Sequence, residues 1–340
     1  MSSIFINKLL LFPYYAVLKA RHYLYDKGFF KSFKFETPII VVGNVSAGGT
    51  GKTPHTEYLV KTLSPKKRVA VISRGYGRKS RGFRYVSISD TSYNVGDEPL
   101  QIKRKFPEIL VAVDANRVRA INTLESLPTK ERPDIIIMDD AFQHRRVVPS
   151  QSIVLIDHSN PPFQDNLIPF GTLRDLPSRI SAAHVVVVSK CPPEISPYTA
   201  MQWRSKLRLR EDQSLLFTEF VYKEPLPVFD QGDRRYVYSN YASVITAVAN
   251  PLPLEYYLSS LYKVTSRVRY KDHYDFTNRD ATKINRMVAK NPKAVLFTTE
   301  KDAQRFLNLS NLDIEVKKRL FYLPIEVSLL NGNGTALYAY

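Results

Sequence analysis

"VVGNVSAGGTGKTP", residues 41–54, joins a short β-branched run to a helix-like segment through a glycine-rich loop. Glycines let successive backbone N–H groups converge on phosphate oxygens, and the N-terminus of the following helix adds positive potential. In this order, Lys52 is placed to reach the β- and γ-phosphates, and the Thr53 hydroxyl is placed to bind Mg²⁺. The stretch therefore predicts a P-loop nucleotide site formed by Ser46, Ala47, Gly48, Gly49, Thr50, Gly51, Lys52 and Thr53.

The loop departs from the usual pattern at one position, because Gly-x-x-x-x-Gly-Lys-[Ser/Thr] has glycine where Ser46 stands. A glycine-rich strand-to-helix turn without a nucleotide remains the alternative. The run "PDIIIMDD" supports the nucleotide interpretation, since Asp139 and Asp140 follow an apolar strand there. A carboxylate at that strand end is expected beside the loop, holding Mg²⁺ directly or through water.

The sequence favours ATP over GTP. GTPases typically carry [Asn/Thr]-Lys-x-Asp after a late strand to bind guanine. The nearest match here is Ser-Lys-Cys-Pro at residues 189–192, which lacks the aspartate.

Short β-branched runs alternate with helix-like stretches, which predicts an α/β fold with a parallel sheet covered on both faces. Proline residues after Lys190 interrupt the pattern, and an extended segment at 215–222 leads into a linker-like stretch. We predict an N-terminal segment (1–36), a P-loop core domain (37–214), and a linker with a smaller α/β domain (215–340). The predicted strands are 39–42, 68–73, 110–113, 134–138, 153–156 and 184–189 in the core, then 243–248, 294–298 and 320–327.

Composition limits the class of protein. The hydrophobic content of 44% supports a packed core, and the single cysteine, Cys191, excludes an internal disulfide and favours a reducing compartment. The net charge of +17 calls for an acidic partner, which nucleic acid, an anionic membrane or a phosphorylated substrate would supply. A solvated basic surface is the simpler alternative.

The first 36 residues interleave Leu, Phe and Tyr with lysine and arginine. Their longest charge-free run, 9–18, is much shorter than the roughly 20 residues that span a bilayer. Aromatic and aliphatic side chains mixed with cations are typical of a helix lying in the membrane interface. A helix packed on the protein's own core is the alternative.

Seven ordered motifs between Pro38 and Phe306 together resemble the tetraacyldisaccharide 4′-kinases of lipid A biosynthesis. In that family the position of Ser46 is likewise not glycine. Two departures are Ala141, where the family usually has glycine, and Asp175-Leu176, where it usually has Glu-Pro. The motifs are "GNVSAGGTGKTP", "SRGYGR" (73–78), "GDEP" (96–99), "DDAFQHRR" (139–146), "PFGTLRD" (169–175), "DHYDF" (272–276) and "TTEKDAQRF" (298–306).

The resemblance implies a kinase that uses ATP and Mg²⁺ to phosphorylate the 4′-hydroxyl of a tetraacyldisaccharide 1-phosphate, forming lipid IVA. It further implies a peripheral enzyme on the cytoplasmic face of the inner membrane, with the anionic membrane surface and the lipid A disaccharide 1-phosphate as partners. These two partners account for the basic charge. We expect no nucleic-acid partner, and we expect a monomer.

The resemblance also assigns roles within the site. Asp97 is implied as the base that takes the hydroxyl proton, and His273 as its partner across an interdomain cleft. Glu98 is a candidate metal carboxylate, alongside Asp139 and Asp140. We predict direct in-line transfer without a covalent intermediate, with Lys52 neutralising the γ-phosphoryl charge and domain closure excluding water.

Further residues are candidates for binding the substrate. Guanidinium groups match phosphate oxygens, so Arg74, Arg78 and Arg174 suit the 1-phosphate or ATP phosphates, with surface ion pairs as the alternative. Gln143 and His144 are placed to orient the γ-phosphate or the substrate, and a structural turn is their alternative.

Two other functional classes remain at this stage. "AGGTGKT" is close to the "KGGxGKT" loop of ATPases that act as nucleotide-gated dimers, although Ala47 replaces the signature lysine of that class. The hypothesis of a basic nucleic-acid-binding ATPase rests only on the net charge, because the sequence shows no recognisable nucleic-acid-binding module.

Overall fold

The computed structural model describes residues 2–330, with side chains described from residue 11 onward. The helices are α1 Ser2–Asp26, α2 Lys52–Leu63, α3 Ser92–Val95, α4 Asp97–Lys105, α5 Arg117–Glu125, α6 Pro197–Lys206, α7 Leu252–Leu261, α8 Asn278–Lys290, α9 Glu300–Phe306 and α10 Ile314–Arg319. The strands are β1 Ile39–Asn44, β2 Val69–Ser73, β3 Arg84–Tyr85, β4 Leu110–Val113, β5 Ile135–Met138, β6 Gln151–Asp157, β7 Val185–Ser189, β8 Ser214–Tyr222, β9 Leu226–Pro227, β10 Tyr241–Thr246, β11 Lys263–Arg269, β12 Val295–Thr299, β13 Leu320–Leu323 and β14 Ile325–Leu330.

The larger sheet has nine strands in the order β14-β8-β7-β6-β1-β5-β2-β4-β3. All neighbouring pairs from β8 to β4 are parallel, whereas β14 and β3 add antiparallel edges. The central strands are buried along their whole length, and a hydrophobic cluster covers each face. These observations confirm the predicted α/β class with a mostly parallel sheet, as expected from uninterrupted β-branched runs.

The smaller sheet has five strands in the order β11-β10-β12-β13-β9. Its three central strands are parallel, and α8, α9 and α10 contribute to the core on one face. Helix α8 begins at a capping box in which Thr277 and Asp280 satisfy each other's backbone N–H groups. "DHYDF" follows β11, and "TTEKDAQRF" spans the end of β12 and α9. Both motifs contact α4, which packs on the larger sheet.

The structure corrects the element assignment at two places along the chain. Strand β8, which the sequence predicts as an extended segment leading into a linker, pairs in parallel with β7 inside the larger sheet. The segment predicted as one strand at 320–327 is divided between the sheets, because β13 joins the small sheet and β14 returns to pair with β8. The larger sheet thus extends past residue 214, and the predicted domain boundary there stays a prediction.

Helix α1 lies against the core through one face and leaves aromatic and aliphatic side chains on another. Leu11 and Leu18 are buried in the core cluster on one face of the larger sheet. Phe12 and Val17 are each 63% exposed, and the following segment exposes Phe29 at 72%. Within residues 2–330, no helix is long and apolar enough to cross a membrane.

Candidate active site

The glycine-rich loop connects β1 to α2, as the sequence predicts, and opens at the N-terminus of α2. Gly48 and Gly51 have φ values of 104° and 85°, conformations that residues with a Cβ rarely adopt. A Cβ on Gly51 would lie 2.3 Å from Cζ of Phe220, so the loop is also closely packed there. Lys52 and Thr53 form the first turn of α2, whose free N–H groups favour an anion.

Asn44, the last residue of β1, holds the loop in shape. Its Nδ2 donates to Oγ1 of Thr50 at 2.8 Å, and Nη2 of Arg174 donates to its Oδ1 at 2.5 Å. Gln143 donates through Nε2 to the Asn44 carbonyl oxygen at 2.7 Å. The predicted residues Gln143 and Arg174 therefore contact the frame of the phosphate loop, a structural use that their sequence context does not reveal.

Asp139 and Asp140 follow β5 and lie next to α2. Asp140 adopts φ 48° and pairs with Arg174, and its Oδ2 lies 3.8 Å from Nζ of Lys52. Asp139 is 1% exposed and accepts a hydrogen bond from Oγ1 of Thr56 at 3.0 Å. Burial, followed by the charges of Glu98 and Asp140, raises the pKa of Asp139 to about 7.

A divalent cation fits this position. Oδ2 of Asp139 is buried and has no hydrogen-bond partner, and Thr53 stands at the start of the adjacent helix. Among the described side chains, no three His, Cys, Asp or Glu residues group as a ready-made metal cage. That sparse donor set suits Mg²⁺, which takes one or two carboxylates, keeps several waters and binds phosphate oxygens.

The cluster around Asp97 joins the two sheets. Asp97, the first residue of α4, is 4% exposed and is ion-paired with Arg305 of α9. Its Oδ2 lies 3.4 Å from Nδ1 of His273 and 3.9 Å from Nζ of Lys301. Burial opposes ionisation of this carboxyl, but the His273 contact and the cations Lys301 and Arg305 prevail and hold its pKa well below the usual range.

His273 is held from several directions. Its backbone has φ 58°, and its ring lies 4.7 Å from the ring of Tyr76, measured between centroids. Nε2 is 3.1 Å from Nζ of Lys301, which in turn donates to Oε1 of Glu98 at 3.0 Å. Arg305 approaches Nδ1 at 3.2 Å. The imidazole is therefore fixed at the meeting point of the "SRGYGR", "GDEP" and "TTEKDAQRF" motifs.

Lys301 and Arg305 are functional candidates that the sequence reasoning did not assign. Both come from α9, four residues apart, and so lie on one face of that helix. Asp302 between them accepts from Nη1 of Arg305 at 2.9 Å and from the Ala247 N–H at 2.8 Å, which fixes the guanidinium. The signal available in the sequence was this i, i+4 pair of cations inside a motif already singled out.

Cationic side chains concentrate on the side of the cleft formed by the larger sheet. Burial lowers the pKa of His144 to about 4, and the nearby charges of Arg117, Arg146, Arg21 and Arg74 act in the same direction. Burial, followed by the charge of Arg74, lowers the pKa of Arg117 to about 10. The arrangement produces a strong positive potential that a phosphorylated ligand would neutralise.

Arg78 differs from the other predicted arginines in its surroundings. Its Nη2 donates to the Gly82 carbonyl oxygen at 2.7 Å and its Nη1 to the Val113 carbonyl oxygen at 3.3 Å. These contacts tie Arg78 to its own loop and to the end of β4, so the predicted substrate contact of Arg78 stays a prediction.

Helix α1 also contacts the segments that frame the phosphate loop. Arg21 donates through Nη2 to the Gln143 carbonyl oxygen at 2.7 Å, and Tyr14 donates to the Arg174 carbonyl oxygen at 3.1 Å. Nε2 of His22 lies 2.6 Å from Oδ1 of Asp175 in a buried pair. Asp175 therefore connects α1 to the loop that carries Arg174.

One cleft of about 1120 Å³ brings these groups together between the two sheets. Asp97 and Asp139, each at most 4% exposed, lie beneath its surface. The predicted site residues that line it are Ala47, Gly48, Gly49, Gly51, Lys52, Thr53, Arg74, Glu98, Asp140, Gln143, His144, Arg174 and His273.

The chain is similar to known proteins of one family. The family described as "Tetraacyldisaccharide-1-P 4'-kinase" matches residues 7–339. The tetraacyldisaccharide 4′-kinase of Parabacteroides distasonis is 40% identical over 338 residues, covering 96% of this chain and 91% of that relative. The corresponding enzyme of Porphyromonas gingivalis is 39% identical over 320 residues, covering 92% and 89%. The structure is also similar to crystalline LpxK from Aquifex aeolicus in complex with ATP, with TM-score 0.72, 27% identity, and coverage of 96% and 95%.

Proposed function

The chain belongs to the tetraacyldisaccharide 4′-kinase family, which acts in lipid A biosynthesis. It is an ATP-dependent kinase that transfers a phosphate group to the 4′-hydroxyl of a disaccharide. On that premise, we propose that it transfers the γ-phosphate of ATP directly and in line to the 4′-hydroxyl of a tetraacyldisaccharide 1-phosphate, with Asp97 as the group that receives the hydroxyl proton. The observation that carries the proposal is the approach of Asp97 and His273 to 3.4 Å beside the cleft that holds the phosphate loop.

The low pKa of Asp97 keeps its carboxylate ionised over the whole physiological range. A carboxylate of that kind is a weak base toward a free alcohol, but it accepts the hydrogen bond that orients one. Phosphoryl transfer passes through a loose transition state, so the hydroxyl becomes strongly acidic only after bond formation has advanced. Asp97 therefore orients the hydroxyl first and takes its proton late, and His273 stabilises or relays that proton.

The ion pair between Asp97 and Arg305 must open before the substrate can reach Asp97. Arg305 now covers the carboxylate, and both side chains are about 5% exposed or less. We propose that substrate binding and domain closure draw the hydroxyl into this contact and exclude water, which suppresses ATP hydrolysis.

Lys52 and the loop N–H groups bind the β- and γ-phosphates, and Thr53, Asp139, Asp140 and Glu98 are the residues proposed to hold Mg²⁺. When bound, the cation neutralises charge on the transferred phosphoryl group. The unpartnered oxygen of Asp139 supports this assignment. Glu98 also anchors Lys301, so its contribution includes holding a cation next to His273.

The arginine-rich side of the cleft is proposed to bind the phosphate of the lipid substrate or those of ATP. Arg74, Arg174 and the newly identified Arg117 line the cleft together with Gln143 and His144. Arg117 donates to the Asp114 and Ala115 carbonyl oxygens, and Arg174 contacts Asn44 and Asp140. These two guanidinium groups are therefore preorganised and lose little freedom when a phosphate binds.

We further propose that the protein acts as a monomer at the cytoplasmic face of the inner membrane. The exposed aromatic side chains of α1 and the segment after it alternate with lysine, which suits an interfacial contact with anionic lipid. Arg21 of the same helix lines the cleft, so a membrane-bound α1 would bring the site to a substrate whose acyl chains stay in the bilayer.

The test is transfer of labelled γ-phosphate to tetraacyldisaccharide 1-phosphate in detergent micelles. Wild type should phosphorylate it, and Asp97→Ala should reduce kcat by at least about a hundredfold, the lower range for general base catalysis. Asp90→Asn is a matched control, since Asp90 is also a buried aspartate paired with an arginine, Arg84, and lies outside the cleft lining. Absence of transfer by wild type would refute the substrate, whereas full activity of Asp97→Ala would refute only the base.

A further inference from the structure

Helices α4 and α9 meet along a row of polar contacts that extends beyond the proposed reacting groups. The N-terminal end of α4 contacts Lys301 and Arg305 on one face of α9, while its C-terminal end contacts Glu300 and Gln304 on the neighbouring face. Four side-chain contacts make up the row: Asp97–Arg305, Glu98–Lys301, Arg104–Gln304 and Lys105–Glu300. We call this set the α4–α9 ladder.

Lys105 forms the end of the α4–α9 ladder opposite Asp97. Its Nζ lies 3.2 Å from Oε1 of Glu300 and donates to Oε2 of the same carboxylate at 3.3 Å. It also donates to Oε2 of Glu57 at 2.6 Å, and Glu57 belongs to α2, the helix that begins at the phosphate loop. One ammonium group thus joins α2, α4 and α9.

The electrostatic balance at this junction depends on Lys105. Side chains of Glu57 and Glu300 are 4% and 11% exposed. Burial, then the charge of Glu300, raises the pKa of Glu57 to about 7, and Lys105 opposes that rise. Gln101 donates to the other oxygen of Glu57 at 2.7 Å, so the junction is fully hydrogen-bonded on the α2 side. Without the lysine, two buried carboxylates would face each other with no cation between them.

We propose that Lys105 is a positioning residue for phosphoryl transfer, because it holds α9 against α4 and α2 and thereby places Lys301 and Arg305 at Asp97 and His273. Lys105 is eight residues from Asp97 on α4, a distance of about 12 Å along the helix, so it does not reach the reacting atoms. The inference rests on the proposed roles of Asp97 and His273 and extends them to the interface that assembles the pair.

Loss of Lys105 acts on catalysis through geometry. A weakened junction lets α9 move away from α4, which shifts the cations that surround Asp97. Misplacement of a reacting pair by about 1 Å is enough to cost up to a hundredfold in rate. The phosphate loop itself is formed by the larger sheet, so ATP binding should be nearly unaffected.

The test compares Lys105→Met with Lys105→Arg and Lys103→Met in the micelle assay with the full chain. Lys103 is a matched control on the same helix, since its Nζ donates within its own segment, to the Pro107 and Ile109 carbonyl oxygens. We expect Lys105→Met to lower kcat about tenfold or more with the KM for ATP within about twofold of wild type. Lys105→Arg should restore most of kcat, and Lys103→Met should leave it near the wild-type value.

A second variant separates positioning from simple loss of folding. Glu57→Gln combined with Lys105→Met removes the more deeply buried carboxylate and its repulsion with Glu300, so the double variant should recover much of the thermal stability while kcat stays low. Wild-type kcat in Lys105→Met, or an equal loss in Lys103→Met, would overturn the inference. Recovery of kcat together with stability in the double variant would also overturn it. These outcomes are separate from failure of the proposed function, which appears as absence of transfer by wild type or full activity of Asp97→Ala.

Discussion

Replacing Arg305 with methionine leaves the buried carboxylate of Asp97 without its closest ion-pair partner. The side chains of Asp97 and Arg305 are 4% and 5% exposed, so water does not replace the lost contact. Asp302, the second partner of Arg305, still accepts hydrogen bonds from the Ala247 N–H and from Thr299, each at 2.8 Å. The main consequence of the substitution therefore falls on Asp97.

The structure sets the expected size of the effect. Breaking a buried ion pair by removing one partner costs about 3–5 kcal/mol, a large part of the 5–15 kcal/mol that stabilises a typical domain. Wild-type Asp97 has a folded pKa below its unfolded value of about 3.9, so its contribution is present above about pH 4 and is lost as pH falls through the folded pKa. In Arg305→Met, the His273 contact and Lys301 still oppose burial, but one cation is lost, so the pKa of Asp97 rises. The stability deficit should be largest near pH 7 and smaller toward pH 4, where the carboxyl takes up a proton.

Two measurements check this prediction. Denaturant unfolding at several pH values reports the deficit, and kcat/KM between pH 4.5 and 8 reports the ionisation of Asp97. We expect the acidic limb of kcat/KM to move to higher pH in Arg305→Met. Arg319→Met is the control, because Arg319 is 6% exposed and pairs with Glu315 away from the cleft. An unmoved acidic limb, or a stability deficit that does not change with pH, would refute the reasoning.

Three further predictions concern the phosphate loop, the metal and the membrane contact. Gly51→Ala should weaken ATP binding at least about tenfold, measured by calorimetry, because φ 85° disfavours a Cβ and Phe220 leaves no room for one; unchanged affinity would contradict it. Asp139→Asn should raise the Mg²⁺ concentration needed for half-maximal phosphoryl transfer by roughly tenfold or more, and an unaltered Mg²⁺ titration would exclude Asp139 as a ligand. The rings of Phe29 and Phe30 are 72% and 44% exposed, so replacing both with serine should reduce the fraction of protein recovered on anionic vesicles while kcat in micelles stays unchanged. Full recovery of the variant on vesicles would argue against the interfacial contact.

The candidate site was only partly predictable from sequence. Lys52 could be predicted because a strand, a glycine-rich loop and a helix follow one another in the sequence. Asp139 and Asp140 could be predicted because they end an apolar strand. Asp97 and His273 depended on a family resemblance, since neither spacing nor composition links two residues so far apart. Their approach to 3.4 Å is a property of the folded chain.

The sequence by itself determined the α/β class and the place of the glycine-rich loop between β1 and α2, because periodicity and glycine placement act over a few neighbouring residues. It also identified the motifs that carry the family resemblance. Only the tertiary structure decided the rest. It returned β8 and β14 to the larger sheet and gave Asp97 the partner Arg305. It also joined three helices at Lys105. The physical reason is that ion pairs and strand partners depend on distances between segments remote in the chain, which a local pattern does not encode.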